Sequence, residues 1–414
     1  MNRQPPSMVE DFFRWVVTHP RRILAIGLAL LLLFGSFLPS LEKDTRADAF
    51  LADDNPALIY KDKVRETFGL SDPMVVAVVA EETIFTAEGL NAIQAISESV
   101  RLVENVDPDG ITSLATENNI VGTDDGMEVQ PFFEGQVDSQ ATANTVRDAV
   151  RAFPLYQGTL VANDETASLI VVELIDDGQA EASYQALEAK LKTLNLAEGL
   201  TLHVAGEGAL SGYLGSYIDS DASRLNPIAA LIITLIVFIA FQRFAPTLLA
   251  NVIILASALI TFGAMAATGV SFFVITNALP VILIGIAVAD SIHIYSEYFE
   301  RRAAYPKESV NDAIVASMVS MWRPITLTTL TTGAGFLGLY FAAYMPPFKY
   351  FGLFTALGVT SAWLYSLLFL PAAMAVTKTP IHPRLAEKLT ASSEGNKRDL
   401  FARTMVPVSY THLR

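Results

Sequence analysis

Six apolar stretches without a single lysine or arginine, at 23–38, 227–241, 247–268, 272–295, 324–344 and 351–376, leave this 414-residue chain few ways to fold. Most come close to the roughly 20 residues that carry an α-helix across a hydrocarbon core of about 30 Å. Hydrophobic residues make up 52% of the chain and charged residues only 17%, and the apolar ones are bunched into runs instead of spread in amphipathic patterns. That distribution is the mark of a membrane protein. The expected fold class is therefore an α-helical membrane bundle of six transmembrane helices, one plus five, because a long hydrophilic stretch separates the first run from the second.

Charge sets the expected orientation. Arg14, Arg21 and Arg22 precede the first run, and Arg243 joins the second and third. Arg301, Arg302, Lys307 and Arg323 lie between the fourth and fifth, and Lys378, Arg384 and Lys388 follow the sixth. With the amino terminus in the cytoplasm all of these fall inside, and Lys349 is the only basic residue in the two short outer loops. The expected organisation is a cytoplasmic segment at 1–22, a first span at 23–40, an exported domain at 41–225, a five-span membrane domain at 226–376 and a cytoplasmic linker at 377–414. The first run could also be a cleaved signal peptide, since Arg21-Arg22 precede an apolar core. Against that stand the more than 20 residues before it, with Phe12, Phe13 and Trp15, and the poor cleavage site at Ser36-Phe37-Leu38-Pro39.

The large loop carries the acidity of the whole chain. Between Glu42 and Arg224 there are 33 acidic and 11 basic residues, a net of −22, against −15 for the entire protein. Such a surface argues against nucleic acid as a partner, although a solvated acidic face is also ordinary for an exported domain. The chain has no cysteine, so this domain has no disulfide and must rely on its core. Its pattern alternates strand and helix: β-branched residues at 73–80, helical spacing of Leu90, Ile93, Ile96, Val100 and Val103, and a short strand near 111–115. A polar insertion follows, then a helix near 139–153, strands at 158–161 and 168–175, a helix at 180–194 and a strand at 200–205. Two successive βαβ-like units predict a ferredoxin-like α+β domain. From Gly208 the chain reads as a helix running into the second span at Asn226-Pro227.

One carboxylate lies inside the fourth apolar run. Asp290 costs several kcal/mol there unless it is neutralised or paired, and an ionisable group in that position marks an ion or proton pathway. No Lys or Arg in any span can act as its counter-ion. Helical spacing puts His293 at i+3 and Glu297 at i+7, and His293 is a candidate second relay member because imidazole titrates near neutrality. An interfacial histidine bonded to backbone or water is the plainer alternative. The fifth run supplies Thr328, Thr329, Thr331 and Thr332, which could hydrogen-bond the carboxyl or line a water file, or could simply bond their own backbone carbonyls. Gly285, Ala287 and Ala289, with Gly333 and Gly335, are small enough for close helix packing near the relay.

The one-plus-five layout carries two marked segments. One is Gly285-Ile286-Ala287-Val288-Ala289-Asp290-Ser291-Ile292-His293 with Tyr298 and Arg301-Arg302. The other is Arg323-Pro324-Ile325-Thr326-Leu327-Thr328-Thr329-Leu330-Thr331-Thr332-Gly333-Ala334-Gly335-Phe336. Together they resemble one repeat of the resistance-nodulation-division superfamily of transporters, in the branch of the MMPL lipid exporters and sterol-sensing-domain proteins. The resemblance covers nearly all of residues 10–376. It implies a bacterial inner membrane, a periplasmic location for the large loop, a lipid-like or otherwise hydrophobic or amphipathic substrate, and export driven by protons through carboxylates of the fourth span. Relatives often carry an Asp-Asp or Asp-Tyr pair there, and here Ala289 stands in the first position. They also normally hold two repeats in one polypeptide, so the single repeat implies a truncated gene or a partner that is a second repeat or a second copy of the chain. The residues 408–414 resemble adapter read-through, which favours truncation.

The competing expectation is a non-transporting protein whose five-span block senses a sterol-like lipid. An accessory motor for protein export is a third reading. No Ser-His-Asp cluster, metal-ligand spacing or phosphate-binding glycine loop stands out in the outer domain, and His203 is its only histidine. No enzyme activity, cofactor or metal is therefore expected.

Overall fold

The computed structural model describes residues 7–52, 54–68, 72–123, 126–378 and 380, so most of the expected linker at 377–414 lies outside the described residues. The chain opens with α1 (Met8–Thr18) and α2 (Pro20–Gly35), then β1 (Lys43–Asp44) and α3 (Pro56–Phe68). After these come β2 (Met74–Ala80), α4 (Ala87–Val100), β3 (Val106–Thr112), β4 (Asn118–Thr123), β5 (Gly126–Pro131), α5 (Gln140–Ala152), β6 (Ala167–Leu174), α6 (Ala180–Leu191) and β7 (Leu200–Ala205). The rest of the described residues are almost wholly helical: α7 (Glu207–Phe241), α8 (Phe244–Ala267), β8 (Phe272–Phe273), α9 (Leu279–Ala304), α10 (Val310–Ala342), α11 (Pro346–Leu364) and α12 (Leu370–Thr377). Two compact units result, one of Thr45–Ser220 and one of Met1–Asp44 with Asp221–Arg414.

In the unit Thr45–Ser220, four strands form a sheet in the order β3-β6-β2-β7, every neighbouring pair antiparallel. With α4 between β2 and β3 and α6 between β6 and β7, the core elements follow the chain order β-α-β-β-α-β. Alternation makes the layers: Met74, Val76, Val78 and Ala80 of β2 and Ile170, Val172 and Leu174 of β6 are buried, on the same core as Leu90, Ile93 and Ile96 of α4 and Leu187 of α6. Thr86 starts α4 by accepting a hydrogen bond from the Gly89 amide, and Ser139 caps α5 in the same way through Thr142.

Several local expectations shift. The strand expected at 111–115 lies at Val106–Thr112 and ends where the Ser113 amide donates to the Thr116 hydroxyl. The stretch 158–161 is a turn held by the Gly158 amide on the Val161 carbonyl, with φ +80° at Gly158, and only isolated bridges remain of the expected strand. The polar insertion contains the hairpin β4-β5, whose second strand is exposed throughout.

One loop of this unit rests on charge. Glu165, with φ +62°, is 6% exposed and is held by Arg147 and Arg151, the latter at 2.5 Å. Burial alone would push its carboxyl up, but the two guanidiniums outweigh it and hold Glu165 below the usual carboxylate range.

Among the described residues six helices are long and apolar enough to cross a membrane: Pro20–Ser40, Glu207–Phe241, Phe244–Ala267, Val274–Ala304, Val310–Ala342 and Pro346–Thr377. Two run well past their apolar stretches. At 33 residues α10 is about 50 Å long, more than a bilayer core of about 30 Å requires, and it begins ahead of Arg323-Pro324. The core gathers Phe241, Tyr295, Tyr298 and Phe299 as a ring cluster, with α1 tucked in through Phe13 and Val17. An ion pair of 2.9 Å joins Arg14 of α1 to Asp312 at the start of α10.

Close helix contact occurs at glycines other than those expected. A Cβ at Gly358 of α11 would come within 2.6 Å of both Leu283 and Thr261, and one at Gly263 would strike the Phe34 carbonyl. At Gly352 it would lie 2.5 Å from the Phe336 carbonyl. The Ser257 hydroxyl donates to the Gly358 carbonyl at 2.8 Å, which fixes α8 against α11. By contrast a Cβ at Gly285, Gly333 or Gly335 would meet nothing within 4 Å among the described residues.

Two outcomes are expected. Gly358→Val overpacks the crossing of α8, α9 and α11 and costs about 1–3 kcal/mol, read as a lower melting temperature of the detergent-solubilised protein, while Gly285→Val leaves the melting temperature unchanged. Glu165→Gln leaves two guanidiniums without their anion and costs roughly 1–3 kcal/mol at neutral pH. Because the folded-state value is depressed, that stability is present above the unfolded glutamate value near 4.3 and disappears as pH falls through the lower folded value. Hydrogen exchange of the Ile84 amide, which donates to the Glu165 carbonyl, should separate wild type from variant at pH 7 and cease to do so in acid.

Candidate functional site

Asp290 lies near the middle of α9, a helix entered through a 3-10 turn at Val274–Ala278 and pinned by Pro280 in its first turn. Proline fits there because the first amides of a helix have no internal partner. Spacing along α9 gives it two faces. Leu283, Ala287, Asp290, Ser291, Ile294 and Tyr298 are buried, whereas Gly285 and His293 are exposed with Ala289 half-buried between them. The carboxylate is thus directed into the bundle and is 8% exposed.

The expected relay residues divide accordingly. His293 sits on the exposed side of α9, away from the face that buries Asp290, and Glu297 is half-buried. On α10, Thr328 and Thr331 are exposed and donate to carbonyls of their own helix, Thr328 to Ile325 at 2.8 Å and Thr331 to Leu327 at 3.0 Å. Thr329 and Thr332 lie one turn apart on the half-buried side. Among the described residues no hydrogen bond joins Asp290 to any of these threonines and no basic side chain pairs with it.

A further buried hydroxyl of the bundle lies in the last span. Ser366 is fully buried, and its hydroxyl makes no hydrogen bond among the described residues. It belongs to a single π-helical turn, Tyr365–Phe369, between α11 and α12, in which the Leu370 amide donates to the Tyr365 carbonyl five residues back. Pro371 accounts for the widened turn: lacking an N–H, it cannot complete the α-helical bond to Leu367 and its ring crowds that carbonyl. Single π-turns inside α-helices recur at functional sites.

This turn is fixed on both sides. The Tyr365 hydroxyl donates to the Gly27 carbonyl of α2 at 2.7 Å, and Phe369 covers Gly27 so closely that a Cβ there would come within 2.8 Å of its ring. One turn before Ser366, the Trp363 indole donates to Thr326 of α10 at 3.0 Å. The hydroxyls of Ser291, Tyr295 and Ser366 are all buried and have no hydrogen-bond partner among the described residues. Sequence reasoning passed over all three. Pro371 was the available signal for Ser366, and the position immediately after the carboxylate was the signal for Ser291.

The chemistry available is that of a lone carboxyl in an apolar bundle with hydroxyls at hand. It can hold or release a proton, and nothing among the described residues fixes it as a permanent ion pair. Comparison with known proteins agrees in kind. A protein of Methanocaldococcus jannaschii, described only as a membrane protein, is 22% identical over 377 residues, covering 88% of this chain and 92% of its own length. The family model that matches is that of the MMPL family, over residues 86–404, which take in most of the sheet-bearing unit, all five later spans and Asp290. The chain belongs to the MMPL family.

Proposed function

We propose that this protein is a half-transporter that exports a lipid-like or other hydrophobic substrate across the cytoplasmic membrane, driven by protons that load and leave Asp290. Members of the MMPL family are transporters, and the family favours a lipid-like cargo and contact with membrane lipids. The observation that carries the reading is the carboxylate itself: buried on the inner face of α9, 8% exposed, with no basic side chain paired to it among the described residues. A group in that setting is costly to keep unless it is used.

The unit Thr45–Ser220 is, in this reading, an exported ferredoxin-like domain. Its strand order and β-α-β-β-α-β chain order support that fold, and the basic residues gathered at one set of loop ends support both termini on the cytoplasmic side. The substrate would pass through or along this domain as the membrane unit alternates. The second half of the transporter is a second copy of the chain or a second repeat. A relative matched over 92% of its own length by this one block is consistent with two copies assembling.

The test is Asp290→Asn in the protein reconstituted into lipid vesicles, with export of a fluorescent lipid analogue followed after a pH gradient is imposed. Transport should fall by about 100-fold or more, the scale of losing a proton-transfer group, while yield and melting temperature hold. Unchanged transport removes Asp290 from the mechanism. Transport or lipid binding indifferent to the gradient in the wild type transfers the protein to the lipid-sensing reading.

A further inference from the structure

The helix α1 has one apolar side more than its packing uses. Phe13, Val16 and Val17 are buried and share an arc of about 100° on the helix. Phe13 and Val17 join the core that includes Ala313 and Ile314 of α10, and Val16 packs with Ile23 of α2 and Ala372 of α12. A second side is charged: Arg14 pairs with Glu10 at 3.0 Å and reaches Asp312 of α10. Between the two lies a third side made of Met8, Phe12, Trp15 and His19, whose i, i+4, i+7, i+11 spacing confines them to an arc of about 60°. Met8 is 88% exposed, Phe12 45% and Trp15 49%, and the His19 ring stacks on Trp15 with centroids 5.4 Å apart. The helix is thus amphipathic even after its packed face has been set aside.

Its position says what covers the bare stripe. Only His19 separates α1 from α2, which begins at Pro20 and is long and apolar enough to cross a membrane, so α1 ends where hydrocarbon begins. The neighbour that meets Val16, α12, is the closing part of the last span, at the same level. Outward residues of α2, among them Ile26, Leu32 and Leu33, are themselves apolar and bare, so the lipid that meets them continues to the foot of α1. Tryptophan suits that boundary because its ring is apolar and its N–H is not. Charge complements it as well: Arg21 and Arg22 are exposed, and among the described residues neither guanidinium has an ion-pair or hydrogen-bond partner, which fits a surface of anionic headgroups.

We propose that α1 is an in-plane interfacial helix: Met8, Phe12, Trp15 and His19 lie in the headgroup and upper acyl region of the membrane, the charged side faces water, and Arg21 and Arg22 meet anionic lipid headgroups. Since α1 is also packed on α10 and α12 and ion-paired to Asp312, it ties the ends of both helices to the membrane surface. The inference is independent of Asp290 and of transport.

The chain has no cysteine, so single cysteines can carry a nitroxide without background. In the full chain in vesicles of phosphatidylcholine and phosphatidylglycerol, labels at Met8→Cys and Phe12→Cys should collide more often with lipid-dissolved oxygen than with a water-soluble nickel chelate, at a depth of about 5–10 Å. A label at Asp11→Cys should show the reverse order. Trp15 gives a second reading without a label. The part of the tryptophan emission lost in Trp15→Phe should be quenched by lipids brominated in the upper acyl chain, and more by brominated phosphatidylglycerol than by brominated phosphatidylcholine at equal mole fraction. Arg21→Gln with Arg22→Gln should remove that difference. Labels at 8 and 12 that favour the nickel chelate, as the one at 11 does, overturn the inference in favour of a helix standing in water. Labels shielded from both reagents, with Trp15 unquenched, overturn it in favour of a protein cover, a second copy of the chain included. Equal quenching by the two lipids in the wild type overturns the part given to Arg21 and Arg22.

Discussion

In a bilayer core there is no water to complete a hydrogen bond, so every polar group of the membrane unit must be satisfied by the chain itself or be kept at a cost. Most of them comply. Thr247, Thr261, Ser317, Thr355 and Thr360 donate to carbonyls four residues back in their own helices. Ser257 donates across the helix contact to Gly358, and Trp363 donates to Thr326. These bonds hold α8, α10 and α11 in register while consuming the polar atoms that lipid cannot serve. Against this thrift, a buried carboxylate and three buried hydroxyls without ordinary partners form a distinct population, on the inner face of α9 and in the π-turn of the last span.

The legibility of the sequence followed the same division. Membrane helices announce themselves by composition over some 20 residues, so all six were readable, but the criterion sees only the apolar part. It missed the early start of α10, where turns outside the core carry polar side chains, whereas the polar lead-in of α7 was read from Gly208 onward by its continuity with the span. The strands β2 and β6 were readable because each alternates buried and half-buried residues, whereas β5, exposed along its whole length, has no periodicity to detect. The amphipathic helix α1 was also missed; its Phe13, Val16 and Val17 are buried, but the run is too short and too polar to resemble a span.

For the site, Asp290 was legible because a single charge in an apolar run is conspicuous. Its surroundings were not, because helical spacing says which residues share a face but not what that face meets. Three residues separate His293 from Asp290, about 60° of helix, and that was enough to place one outside and the other inside. Glycines misled for a related reason. Gly285, Gly333 and Gly335 resemble packing positions, yet the helices close at Gly263, Gly352 and Gly358, where another backbone or a branched side chain is present. The identity of the residue permits an approach, and only the partner's position realises it.

The widened turn at Tyr365–Phe369 also changes the phase of the last span. One extra residue in a helix rotates everything after it by about 100° relative to an uninterrupted α-helix. Before the turn, α11 packs on α8, α9 and α10; after it, α12 keeps contact with α8 and α10 and adds α1 and α2. A straight helix would present a single stripe along its length and would meet α9 or the amino-terminal pair less fully. The inserted residue lets one span serve both, so the end of the last span adds a seam to the amino-terminal pair of helices, which also packs on α8 and α10.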